Sequence, residues 1–260
     1  MSTNKILVSK IINDNVFEII LNNPTKRNPL SLELINILQN LLNTLKKNKK
    51  VKVILIKSTG ASFCSGHDLK EVRSYASSKT KLLNLFKKCS KLMMTFREVP
   101  QPVIACVDGI AAAAGCQLIA SCDLVIATKT STFQTPGVNI GLFCSTPMVA
   151  ISRKISPKDM MYMLLTGEQV TAIQAKEYKL INIITEKKDF QKQIDLITNR
   201  LIKKSFQSIK IGKIAFYRQL EMSLDNAYKY TSKVMTENMQ SNDAKEGIEA
   251  FVKKRTPNWS

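Results

Sequence analysis

The chain has 260 residues, 44% of them hydrophobic, which suits one large domain with a substantial core. No apolar run approaches the roughly 20 residues that a bilayer span needs, so no membrane segment is expected. The net charge of +19 invites an anionic partner, but no RNP motif, zinc-finger spacing or aromatic-interleaved basic run accompanies it.

Met1–Lys10 reads neither as a signal peptide nor as an Arg-rich transit segment, because Ser9 and Lys10 interrupt its short apolar stretch. It runs straight into strand-like sequence, so nothing is expected to precede the fold. Ile6–Ser9 and Val16–Leu21 form strands around the turn Asn13-Asp14-Asn15. Asn22-Asn23-Pro24 breaks that pattern. Ser31 caps a helix in which Leu34, Ile37, Leu38, Leu41, Leu42 and Leu45 recur at helical spacing. Val51–Lys57 is a buried strand ending in the loop Ser58-Thr59-Gly60. Lys79–Glu98 is helical and stops before Pro100 and Pro102, since the residue before a proline is pushed out of the helical region.

Val103–Val107 is a second buried strand, turned by Asp108-Gly109. The small residues Ala111–Ala120 open a helix, and Leu124–Ala127 is a third strand. Alternating strands and helices give an α/β fold with stacked sheets. Beyond about residue 190 only amphipathic helices follow: Gln191–Ser205, Ser208–Leu220, Ala227–Met239 and Asp243–Lys254. The chain therefore divides into a core, 1–190, and a helical region, 191–260. The lysines scatter over Lys46–Lys50, Lys87–Lys91, Lys187–Lys192 and Lys203–Lys213, as solvated helix faces do, so nucleic acid is not the expected partner. Cys64, Cys89, Cys106, Cys116, Cys122 and Cys144 contain no CxxC pair and sit mostly in apolar or Gly/Ala-rich surroundings. Reduced, buried thiols in a cytoplasmic protein are expected.

Three segments carry candidate chemistry. Ser62-Phe63-Cys64-Ser65-Gly66-His67-Asp68-Leu69 is a strand and a glycine-containing turn that exposes backbone N–H groups, with Asp68 placed to cap Leu69–Tyr75. Ala111-Ala112-Ala113-Ala114-Gly115-Cys116-Gln117 lets a ligand lie against backbone at a helix start, where the dipole favours negative charge. Thr135-Pro136-Gly137-Val138-Asn139-Ile140-Gly141-Leu142 is a loop of tight-turn residues. Alone, each is as well explained by close packing.

In this order and spacing they resemble the crotonase (enoyl-CoA hydratase/isomerase) superfamily over essentially the whole chain. Leu21 to Leu30 looks like its first loop, Phe63 to Leu69 its first oxyanion segment and Asp108 to Leu124 its second. Phe133 to Gly141 looks like its catalytic loop, Leu165-Thr166-Gly167-Glu168 with Ala172 and Ala175 its following helix pair, and Phe251 to Pro257 its C terminus. The resemblance implies an α/β, ClpP/crotonase-like ββα spiral with a C-terminal helical trimerisation region, assembled as a homotrimer or dimer of trimers. It implies an acyl-CoA thioester as ligand, with coenzyme A part of the substrate, no separate cofactor and no metal.

Carried over by resemblance, the backbone N–H groups of His67 and Ala114 polarise the thioester oxygen and stabilise an enolate. The two positions that hold catalytic glutamates in hydratases are here Gln117 and Gly137, and neither is an acid. Gln cannot exchange a proton near neutral pH and Gly has no side chain, so both acid/base roles are missing. The resemblance implies an enzyme of the lyase or isomerase kind with ordinary hydration disfavoured; the alternative is a non-catalytic or regulatory acyl-CoA-binding protein. The sole histidine, His67, offers a ring that titrates near neutrality, or only its backbone acts. Cys144, Ser145 and Asn139 lie on or beside the catalytic loop, and a cysteine nucleophile there needs a base partner. Lys26 and Arg27 are expected near the coenzyme A phosphates, and Ser65, Gly66, Asp68 and Leu69 near its adenine and pantetheine. Phe251 and Lys254 are expected to reach a neighbouring subunit's ligand.

Overall fold

The computed structural model describes the backbone of residues 2–4 and all of residues 6–260. β1 (Ser2–Asn4) and β2 (Leu7–Ile12) lead into β3 (Val16–Leu21) through a turn in which Asn13 and Asp14 hold positive φ of 51° and 56°. Asn and Asp tolerate that region because their short side chains bond the local backbone. α1 (Leu32–Leu45) begins at Ser31, whose hydroxyl accepts the Leu34 N–H, and it buries Leu34, Ile35, Leu38, Leu42 and Leu45. β4 (Val53–Ser58), β5 (Ser62–Cys64), α2 (Leu69–Ser74) and α3 (Lys79–Glu98) follow. Next come β6 (Val103–Val107), β7 (Ile110–Ala112), α4 (Ala114–Ser121), β8 (Leu124–Thr128) and β9 (Thr132–Gln134). The chain continues through α5 (Ser145–Ile151), α6 (Pro157–Thr166), β10 (Val170–Thr171), α7 (Ala172–Glu177) and β11 (Ile183–Thr185). It closes with α8 (Phe190–Ile202), α9 (Phe206–Gln219), α10 (Leu224–Met239) and α11 (Asn242–Val252).

Seven strands form one sheet in the order β1-β2-β3-β4-β6-β8-β11, antiparallel over the first three and parallel thereafter. Interior parallel strands are covered on both faces and so read as continuous apolar runs. Ile54, Ile56, Val103, Ala105 and Val107 face the main core. Val53, Leu55, Ile104, Cys106 and Ile126 face the other way, against Ile194 of α8. A second sheet, β10-β9-β7-β5, contributes Phe63, Cys64, Ala111 and Phe133 to the main core, which α1, α3 and α4 complete.

The helix expected over Ala111–Ala120 starts later. Ile110–Ala112 is β7, held between β5 and β9, and α4 begins only at Ala114. Strands brought alongside from elsewhere in the chain supply these backbone partners, and no local propensity records that. α9 docks on α3 through Lys213, whose ammonium donates to the Phe96 and Gln101 carbonyls (2.9 and 2.8 Å) and to Asp123 (2.6 Å). All six cysteines are free and buried. No helix among the described residues is long and apolar enough to cross a membrane.

Candidate active site

Two backbone kinks build the site. Gly66 holds φ +91°, and a Cβ there would stand 3.0 Å from the Ala113 Cβ, 3.1 Å from the Ala112 carbonyl and 3.3 Å from the Ala114 nitrogen. The second kink is Ala113, at φ 49° and ψ −114° just before α4, a conformation that costs a residue with a Cβ free energy. The Ala113 N–H donates to the Gln134 carbonyl of β9 (2.9 Å), which fixes the kink. Gly115 follows because a Cβ there would fall 2.2 Å from the Cys64 carbonyl of β5. The result sets residues 66–67 beside residues 113–114. The backbone N–H groups of His67 and Ala114 donate to no acceptor among the described residues.

The first loop is stitched to the same place. The Ser65 N–H donates to the Arg27 carbonyl (3.1 Å) and the Leu30 N–H to the Gly66 carbonyl (2.7 Å). Asn28, fully buried, donates to the Thr59 and Ser62 carbonyls (both 2.8 Å) and accepts the Asn23 N–H (2.7 Å). Lys26 and Arg27 are thereby exposed next to Ser65 and Gly66. Asp68 caps α2 by accepting the Lys70 and Glu71 N–H groups, and Leu69 is exposed. Phe251 and Lys254 stand apart from this cluster, exposed at the end of α11, which packs on α9 and α10.

Gln117 is buried on α4, with the Cys89 thiol 4.0 Å from its side-chain oxygen. It borders a cavity of about 890 Å3 between α3, α4, α5 and α9. Gly137 is filled from behind: a Cβ there would meet the Cys144 sulfur and the Leu142 carbonyl, each at 3.0 Å. Burial pushes the Cys144 thiol above its ordinary pKa, so it is not a ready nucleophile. The His67 ring places Nδ1 3.2 Å from the Leu30 carbonyl and meets the Phe86 ring edge-on at 5.4 Å. A carbonyl only accepts, so Nδ1 carries the proton and Nε2, buried without a partner among the described residues, keeps its lone pair. Burial lowers the ring's pKa, with Leu30 and Glu71 opposing, so the imidazole is neutral at pH 7. The ring does not line the cavity.

Sequence reasoning missed the Asn28 clamp, the Cys144 plug behind Gly137 and the cavity. Only Asn28 left a signal, an Asn before a proline in a tight loop; the other two are contacts between distant segments.

The enoyl-CoA hydratase/isomerase family profile matches residues 11–260. Among curated relatives, human enoyl-CoA hydratase domain-containing protein 3, mitochondrial, is 43% identical over 247 residues, covering 95% of this chain and 81% of that protein. The Danio rerio protein of the same name is 44% identical over 242 residues, covering 93% of this chain and 83% of that one. Among solved structures, a Mycobacterium smegmatis enoyl-CoA hydratase superposes with TM-score 0.96 at 38% identity, covering 98% of this chain and 99% of that one. The human domain-containing protein 3 does so with TM-score 0.93 at 41% identity, covering 98% and 100%. These relatives overturn one expectation. The animal proteins are named mitochondrial, so the cytoplasmic location expected above does not stand. Composition of a folded domain carries no address, because targeting segments are separate and removable. The two sheets, the buried α4 and the helical C-terminal region are those of the crotonase fold, and the chain belongs to the enoyl-CoA hydratase/isomerase family.

Proposed function

We propose that the chain binds an acyl-CoA thioester and stabilises its enolate with the backbone N–H groups of His67 and Ala114, without the two carboxylates that ordinary hydration uses. What supports this is that the kinks at Gly66 and Ala113 bring the two segments together while the His67 and Ala114 N–H groups have no acceptor among the described residues. Preorganised donors of this kind contribute roughly 3–4 kcal/mol each where negative charge develops on oxygen. Polarising the thioester carbonyl acidifies the adjacent carbon; with no carboxylate at Gln117 or Gly137, the α-proton passes to solvent water, which also returns it. Lys26 and Arg27 suit the phosphates of coenzyme A. Ser65, Gly66, Asp68 and Leu69 border its path, and α11 offers Phe251 and Lys254 to a neighbouring copy in a trimer.

Calorimetry with octanoyl-CoA, free octanoate and coenzyme A tests binding. The ester is expected to bind and the free acid to give no heat at the same concentration; equal affinities would remove the thioester from the proposal. Crotonyl-CoA hydration is expected to be slower than in an ordinary hydratase by about 10²–10⁴-fold for each missing acid. A rate equal to that of a two-glutamate enzyme would overturn it.

A second reading, binding without turnover, is favoured by Gln117 and the plugged Gly137, which leave no carboxylate at either position. Exchange of the α-protons of bound octanoyl-CoA in deuterated water separates the two. Exchange requires an enolate, whereas tight binding with no exchange supports the second reading.

A further inference from the structure

Near Gln117 the cavity is lined by Met93 and Ala120 together with the small hydroxyls of Ser90 and Ser121, and its far end is cationic. On α3, Cys89 touches Gln117, and Met93 and Arg97 follow at helical spacing on the same face. Cys89 to Arg97 spans about 12 Å at about 1.5 Å per residue. On α5 and the turn after it, the wall passes in the same way from Val149 and Ala150 to Arg153 and Lys154.

The cationic end has more positive than negative charge. Arg97 and Arg153 share a single carboxylate, Glu221, at 3.4 and 3.7 Å. Glu98 turns to Lys46 at 3.2 Å. Lys154 forms no ion pair among the described residues; its ammonium stands 5.3 Å over the Tyr217 ring, and Arg97 lies 4.6 Å over the same ring. Tyr217 meets both cations with its ring face, while its hydroxyl is turned to Asp123, to which it donates at 2.9 Å. Burial depresses the Lys154 pKa, the mark of a desolvated ammonium, with Asp123 opposing. A partly desolvated ammonium that has a ring face but no ion-pair partner among the described residues is further stabilised by an anion that arrives on an apolar tether.

We propose that the acyl group this cavity takes ends in a second carboxylate, received by Lys154 with Arg97 and Arg153, so that the substrate class is a dicarboxylic acyl-CoA. The proposal rests on acyl-CoA binding with the thioester near Gln117. An extended chain advances about 1.3 Å per carbon, given C–C bonds of about 1.5 Å, so a chain of eight carbons covers about 9 Å and the long cationic side chains reach back over the remainder.

Suberyl-CoA, octanoyl-CoA and coenzyme A titrated into the full-length protein test it. The two esters differ only in the terminal carboxylate. Suberyl-CoA is expected to bind about tenfold or more tightly than octanoyl-CoA, as for a charge-assisted contact, and salt should shrink the difference. Lys154→Met should bring the ratio of the two affinities to within about threefold, chiefly by weakening suberyl-CoA, and Arg153→Met should reduce the ratio in part. Octanoyl-CoA bound as tightly as suberyl-CoA by the unaltered protein overturns the proposal, whatever the variants do. So does a preference that survives the Lys154→Met/Arg153→Met double variant. If octanoyl-CoA binds and only the preference is missing, acyl-CoA binding stands and the dicarboxylic class falls; if no ester binds, both fall.

Discussion

At the residue scale, His67 carries two separable roles. Its backbone N–H belongs to the candidate oxyanion pair, while its ring is locked against Leu30 and Phe86 in the neutral form. Because burial lowers the folded-state pKa below the unfolded value of about 6.5, the unfolded chain takes up the proton first. The ring's contribution to stability is therefore present above that value and lost as pH falls through the folded pKa. Urea unfolding at pH 7 and pH 5 should show a larger loss for the unaltered protein than for His67→Phe. Equal losses would mean that the ring is not held neutral. Because the backbone N–H survives, His67→Ala should leave acyl-CoA affinity within a few-fold. Gly137 is the converse case, a position whose meaning is space. Gly137→Ala drives a Cβ to 3.0 Å from the Cys144 sulfur and the Leu142 carbonyl, and overpacking of this kind costs about 1–3 kcal/mol. Cys144→Ala should return part of that loss in urea unfolding, and only part, because the Leu142 carbonyl remains. For the same reason Gly137→Glu is not expected to restore hydration.

At the element scale, the docking of α9 depends on one buried pair. Lys213 is 6% exposed at its side chain and Asp123 16%, and Asp123 also accepts the Val103 N–H and the Tyr217 hydroxyl. Lys213→Met strands that carboxylate and should destabilise the fold by about 3–5 kcal/mol. Adding Asp123→Asn should recover a sizeable share, since neighbours in one network are not additive. Fully additive losses in denaturant unfolding would show that the pair is uncoupled. Element boundaries were uneven in their legibility. α3 and β6 lie where periodicity and the flanking prolines place them, because each signal is local. β7 escaped because three alanine-rich residues become a strand only when β5 and β9 lie alongside.

At the scale of the whole molecule, the C-terminal helices leave large apolar side chains in solvent: Leu224, Tyr228, Phe251 and Val252 are 75%, 68%, 85% and 73% exposed. Apolar surface of this kind marks an interface. Light scattering is expected to give a mass three or six times the 29.2 kDa of the chain, and Phe251→Asp with Val252→Asp to lower it. A monomer at micromolar concentration would remove the assembly and with it the role offered for Phe251 and Lys254.

The sequence by itself determined the α/β class, most helices and central strands, the family motifs and the absence of an acid at Gln117 and Gly137. These are carried by residue identity and by spacing within one segment, which periodicity, capping and proline sterics express directly. Only the tertiary structure decided that Ala113 bends the backbone before α4, that Cys144 occupies the room behind Gly137, that the His67 ring is buried and neutral, and that Lys154, over the Tyr217 ring and without an ion-pair partner among the described residues, lines the cavity that Gln117 borders. Each of these depends on which distant segments share a few ångströms. Close packing and desolvation act through that proximity, and one-dimensional spacing does not contain it.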